Sequence, residues 1–139
     1  MSNEGHAVPG MRPDSFLAFD VGRKRTGVAY ASRMLGRAQP QSSIQAEGER
    51  RWPLVARHIQ TWQPQALVVG VPFHPDGAEH ENTRFARRFA RELRQRFALP
   101  VFEVDERYST TEALAGGAKD ADAASACIIL EQFLRTLPD

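Results

Sequence analysis

A chain of 139 residues with 18 basic and 17 acidic side chains carries a formal net charge of +1, and 42% of it is hydrophobic. That balance excludes a disordered polyelectrolyte, and the length suits one domain while excluding a full-size two-lobed sugar kinase or chaperone-type ATPase. Lys24 and Lys119 are the only lysines, so arginine supplies almost all the positive charge. Its planar fork binds phosphate in a way lysine does not, so the near-zero sum leaves nucleic acid open as a partner. With one cysteine, Cys127, the chain has neither a disulfide framework nor a Cys-based zinc site, and a reducing, cytoplasmic setting is expected. There is no apolar run of membrane-spanning length and no hydrophobic leader, so neither a membrane partner nor a secretory signal is expected.

Residues 1–14 are polar and rich in Gly and Pro, and are expected to form a loose tail ahead of a domain over 15–139. The run from Phe16 to Val21 is apolar up to Asp20 and predicts a buried strand. Gly22 opens a turn, Thr26–Ala31 predicts a second strand, and a weaker third lies around Gln39–Ala46, together an antiparallel meander. From Glu49 to Trp62, Trp52, Val55, Ile59 and Trp62 recur at helical spacing, with Pro53 in the first turn. Ala66–Val71 is continuously apolar, as in a central strand covered on both faces. A loop over 72–80 precedes a helix over 81–97, whose core stripe is Phe85, Phe89, Leu93 and Phe97. Arg84, Arg87, Arg88, Arg91 and Arg94 lie off that stripe. Val101–Asp105 predicts a fifth strand, and Ser109-Thr110-Thr111-Glu112 has the capping-box pattern of a short helix. A last helix spans about 121–134, with Ala124, Cys127, Ile128, Glu131 and Leu134 marking its faces. The order predicts an α/β fold: a five-stranded mixed sheet, three antiparallel strands then parallel ones, with helices on both faces and right-handed crossovers.

The acids carry the chemistry. Asp20 ends an apolar strand, where packing gains nothing from a carboxylate and where α/β sheets gather their ligands. Glu103 and Asp105 face one side of the fifth strand and Glu106 the other. Asp105 and Glu106 lie nearest its carboxyl end. Asp122 opens the last helix; it is either a dipole partner of that helix or a third acid facing the site. Small residues follow it in Ala123-Ala124-Ser125-Ala126, and these let a helix pack close to a sheet. Asp and Glu without a His or Cys cluster make a hard-oxygen site suited to Mg²⁺ or Mn²⁺, whose usual work is phosphoryl transfer. Arg23-Lys24-Arg25 follows Asp20 on the turn and suits a phosphodiester backbone. His74 and His80 flank the loop near the strand edge and read as solvated.

Four segments in this order resemble one family. They are Phe19-Asp20-Val21-Gly22-Arg23-Lys24-Arg25-Thr26-Gly27-Val28-Ala29; Val69-Gly70-Val71-Pro72 with Asp76-Gly77; Asp105–Ala113, beginning Asp105-Glu106-Arg107; and Asp122–Glu131. They are similar to the motifs of the YqgF (RuvX) family of Holliday junction resolvase-like proteins and pre-16S rRNA nucleases, and the likeness covers residues 16–135. Two places depart from it. The loop over Ala115–Asp120 is shorter, and Asp120-Ala121 stands where the family places a basic and an apolar residue.

The resemblance implies an RNase H-like fold and a cytoplasmic bacterial nuclease that matures the 5′ end of 16S rRNA with a divalent metal. By position, Asp20, Glu106 and Asp122 are its catalytic, metal-holding acids. Arg23, Lys24, Arg25 and Arg107 are expected to position phosphates. The expected partner is precursor rRNA, with structured DNA as a second substrate, bound by a monomer or homodimer. Two other readings differ in kind. A non-catalytic nucleic-acid module would bind in a salt-dependent way without turnover. A nucleotide binder would use Asp20–Gly27 as the first phosphate loop of an actin-like ATPase, and the short chain disfavours it.

Overall fold

Alternation within one strand decides which residues meet which layer. In the computed structural model, which describes residues 12–106 and 121–137, β1 (Ser15–Val21) sends Leu17, Phe19 and Val21 into one apolar cluster and Phe16 and Ala18 into another. Both clusters bury complete side chains: Phe16, Leu17 and Phe19 have no exposed surface, and each contributes about 2 kcal/mol through burial. A strand buried on both faces must be central. β1 pairs antiparallel with β2 (Thr26–Ser32), and β2 with β3 (Gln39–Ile44). On its other side β1 pairs parallel with β4 (Ala66–Pro72), and β4 with β5 (Val101–Glu106). The sheet order is β3-β2-β1-β4-β5, the mixed sheet expected from the sequence.

The first cluster lies under α1 (Arg51–Trp62) and α2 (Thr83–Phe97), the second under α3 (Ala121–Arg135). Helices therefore cover both faces. A short 3-10 turn, Gly48–Arg50, precedes α1 where the sequence predicts regular helix. Trp52 stacks on Phe89 with ring centroids 5.0 Å apart, joining α1 to α2.

The predicted helix stripes shift in register. On α2, Phe89 and Leu93 are buried, but Phe85 and Phe97 are only half-buried, and Ala86 and Ala90 complete the face. A strict four-residue spacing overruns the 3.6-residue turn, so its ends wind off the core. On α3 the buried face is Ala123, Ala126, Ile129, Leu130 and Phe133, one step away from the predicted Ala124, Cys127, Ile128, Glu131 and Leu134. The small residues at 123 and 126 meet the sheet, and they choose the register. The predicted capping-box helix at 109–112 and the tail over residues 1–11 lie outside the described residues. No helix among the described residues is long and apolar enough to cross a membrane.

Candidate active site

Three acids come to one end of the sheet by separate routes. Asp20 is the penultimate residue of β1 and shares the face of Phe16 and Ala18, the side covered by α3. Glu106 ends β5 on that same face. Its Cγ lies 3.3 Å from where a Cβ on Gly70 would stand, so the bare backbone of β4 leaves room for the Glu106 side chain. The backbone of Glu106 is also fixed, because its carbonyl accepts the Phe73 N–H at 3.1 Å.

Asp122 arrives from α3, over β2. Gly27 is the cross-strand partner of Asp20, and a Cβ there would sit 1.9 Å from the Asp122 carbonyl oxygen. Only glycine lets the first turn of α3 rest on the strand at this point. The small residues after Asp122 are half of the close approach expected from the sequence, and Gly27 is the other half. The Asp122 carboxylate takes an ion pair from Arg25 Nε at 3.0 Å.

The electrostatics single out Glu106. Burial, then the carboxylates of Asp20 and Asp105, raise its pKa to about 7. Its Oε2 is buried without a hydrogen-bond partner among the described residues. A buried carboxylate oxygen left unpaired, next to a second carboxylate, disfavours ionisation and favours a cation. Asp105 is exposed, with its side chain on the opposite face from Glu106, as strand alternation predicts. Among the described residues no three His, Cys, Asp or Glu side chains converge closely enough to hold a metal by themselves. The three acids share one edge, but Asp122 is engaged with Arg25. The residues nonetheless fit a hard divalent ion through the Glu106 oxygen that has no partner among the described residues and the neighbouring Asp20 carboxylate.

This environment sets a pH dependence. A carboxyl with a folded pKa near 7 and an ordinary value of 4.5 binds more protons folded than unfolded across that interval, so its ionisation costs stability as pH rises through it. In metal-free protein, Glu106→Gln should gain melting temperature over wild type between pH 5 and pH 8. Because Glu106 is partly solvated, the gain should be about 3 °C. A difference independent of pH, measured by thermal circular dichroism, would remove this account of Glu106.

Arg23, Lys24 and Arg25 are exposed on the β1–β2 turn, and Arg107 lies outside the described residues. The arginines of α2 do not continue this basic turn. Their helix covers the other face of the sheet, and Arg84, Arg87 and Arg94 pair with Glu79 and Glu103. His74 and His80 pack with ring centroids 5.0 Å apart and the rings tilted by 42°, in a loop tied down where Thr83 donates its hydroxyl to the Pro72 carbonyl. Cys127 is half-buried, and burial and Glu131 raise its thiol to about 11, so it is no nucleophile at neutral pH.

Arg51 has a role that the sequence reading does not assign. It is 3% exposed and donates from Nη2 to the carbonyls of Gly22 at 3.1 Å and Arg23 at 3.0 Å. Its guanidinium packs over the rings of Phe85 and Phe89. A buried cation thus braces the turn that carries Arg23, Lys24 and Arg25. The available signal was its place four residues before Val55, on the apolar face of α1. Arg51→Met leaves two turn carbonyls without a donor and should cost about 1–3 kcal/mol in urea unfolding. An unchanged midpoint would show that the turn holds itself.

Comparison with known proteins agrees with this geometry. Residues 14–136 match the family model described as RuvX, Holliday junction resolvase. The chain is 64% identical over 133 residues to a protein of Polaromonas sp. named "Putative pre-16S rRNA nuclease", covering 96% of this chain and 95% of that one. An equally named protein of Albidiferax ferrireducens is 62% identical over 138 residues, covering 94% and 88%. Among solved structures, T. thermophilus RuvC in complex with Holliday junction substrate superposes with a TM-score of 0.53 at 14% identity, over 87% of this chain and 93% of that one. That likeness shows the fold alone, an RNase H-like sheet. With a family match from residue 14 to residue 136 and identities above 60%, the chain belongs to the RuvX family.

Proposed function

We propose that this protein is a metal-dependent nuclease that hydrolyses phosphodiester bonds in RNA, acting in the 5′-end maturation of 16S rRNA. The carrying observation is the buried Glu106 oxygen, without a partner among the described residues, beside Asp20 at the carboxyl end of parallel strands. The names of the most similar relatives favour RNA. The family description favours a four-way DNA junction as the second substrate.

Asp20 and Glu106 would hold Mg²⁺ or Mn²⁺, and Asp122 would complete the set. Such an ion supplies Lewis acidity toward a phosphodiester. The other parts belong to the chain itself. Arg23 and Lys24 present donors to the backbone of the strand. Arg25 holds Asp122 at 3.0 Å, and it exchanges that carboxylate for a phosphate when the substrate arrives. Arg107, next after Glu106, adds a further donor. A precursor rRNA substrate places the protein in the cytoplasm.

The test incubates purified protein with end-labelled precursor RNA, and in parallel with a four-way DNA junction, in Mn²⁺. Cleavage of the RNA that stops on chelation and returns with added Mn²⁺ is the expected result. Cleavage that persists in chelator overturns the metal assignment, and cleavage of the junction alone overturns the RNA assignment.

A further inference from the structure

Some arginines are engaged in this fold. Arg25, Arg84, Arg87, Arg94 and Arg96 pair with acids, and Arg51 binds carbonyls. Arg37 and Arg135 belong to a second group, with Arg23, Arg50, Arg57, Arg88 and Arg91, that has no acidic partner among the described residues. Both are exposed. They come from two distant elements, the turn between β2 and β3 and the last turn of α3. With Arg33, they line one cavity of about 490 Å³.

The cavity has a distinct chemistry. Arg33, Arg37 and Arg135 line its wall, and Leu134 and Leu137 supply an apolar surface. Glu131 also lines it. The Oε2 of Glu131 accepts the Ala38 N–H at 3.1 Å, which fastens α3 to the start of β3. Glu131 and the Asp14 carboxylate, 3.7 Å from Arg33 Nε, offset two of the three arginines, so one positive charge remains in excess. Arg33 is fixed too, since its Nε donates to the Pro13 carbonyl at 3.0 Å. A group with a phosphate and a flat apolar body, one nucleotide of a strand, matches this lining. Glu131 can accept from a ribose hydroxyl, which DNA lacks.

Its position gives it a use. Arg33 N donates to Asp14 just before β1, so the cavity lies at the end of the sheet opposite Asp20. The strand between them spans about 20 Å, which corresponds to about six nucleotides at 3.4 Å each. We infer that the Arg33–Arg37–Arg135 cavity is a second phosphate-binding site, which grips the RNA strand about six nucleotides from the bond that is cut. This rests on the nuclease reading above and adds to it a place where substrate length is sensed. Met34 and Leu35 are exposed at the tip of the same turn and extend the apolar contact beyond the cavity.

The experiment measures binding by fluorescence anisotropy without divalent metal, so that cleavage does not interfere. The probes are a labelled tetranucleotide and a labelled single-stranded RNA of about 16 nucleotides. The double variant Arg37→Glu/Arg135→Glu should bind the longer RNA about tenfold more weakly and lower the salt dependence by about two ions. It should bind the tetranucleotide like wild type. Its melting curve should match wild type, because both side chains are exposed and have no acidic partner among the described residues. A control, Arg88→Glu/Arg91→Glu, reverses two exposed charges on α2 and should leave the longer RNA bound. Equal affinity and slope in the first variant overturn the site, as does an equal loss in the control. Loss of the nuclease reading would show instead as no cleavage of either the RNA or the junction in Mn²⁺, a separate measurement.

Discussion

Asp20→Asn is expected to reduce Mn²⁺-dependent RNA cleavage by at least about a hundredfold, and to lower the pKa of Glu106 in the same protein. The two effects share one cause. Asp20 places a negative charge against a carboxyl that is already desolvated, and that charge is the second-largest reason why Glu106 titrates near 7. Removing it makes ionisation of Glu106 easier, so its pKa falls toward 4.5. It stops short, because burial is the larger cause and remains. The pair then offers one carboxylate where a divalent ion needs two, and the loss of metal should exceed any gain from easier ionisation. Carboxyl-selective NMR titration of metal-free wild type and variant reads the pKa, and the labelled-RNA assay reads the cleavage. A Glu106 midpoint unchanged by the substitution would mean that the acids are not neighbours. Full cleavage by the variant would remove Asp20 from the chemistry.

The sheet was legible because its strands have unambiguous patterns. Ala66–Val71 is apolar throughout and proves central, and Phe16–Val21 is apolar up to one acid at its end. An acid that packing cannot explain is a strong local signal, so Asp20 stands out at the end of its strand, whereas the choice of Glu106 over Asp105 rests on the family resemblance. Helix register was less legible. In α3 almost every residue from Ala123 to Leu130 is small or apolar, so periodicity marks several faces, and the choice belongs to the strand beneath. Arg51 was hidden for a similar reason. Charged residues are expected on surfaces, and only the carbonyls of a turn nearly 30 residues earlier in the chain explain why this one is buried. Gly27 looked like an ordinary strand glycine within a motif, and its significance lies in a contact with a residue almost 100 positions later. Contacts of that separation leave no periodic trace in the sequence.

Gly27→Ala tests that contact directly and should be the most damaging single methyl in the protein. The added carbon would stand 1.9 Å from the Asp122 carbonyl oxygen, 2.4 Å from its carbon and 3.1 Å from the Ala123 nitrogen. All three are backbone atoms of the first turn of α3, which no rotamer change can move. The helix start must lift from β2, and overpacking of this kind costs about 1–3 kcal/mol. Lifting also draws Asp122 away from Arg25 and from the strand position opposite Asp20. Cleavage should therefore fall much further than the unfolded fraction accounts for. Gly70→Ala is the informative comparison. Its methyl would meet side chains, the end of Ile129 at 2.5 Å and Glu106 Cγ at 3.3 Å, which can shift where backbone cannot, so the stability loss should be smaller while cleavage falls through Glu106. Urea midpoints and cleavage rates for the two variants, measured side by side, decide the matter. If Gly27→Ala matches wild type in both, α3 does not start where Asp122 can serve the site. If Gly27→Ala loses cleavage while staying folded, the glycine is there to bring an acid to the sheet edge, and its conformational freedom is incidental.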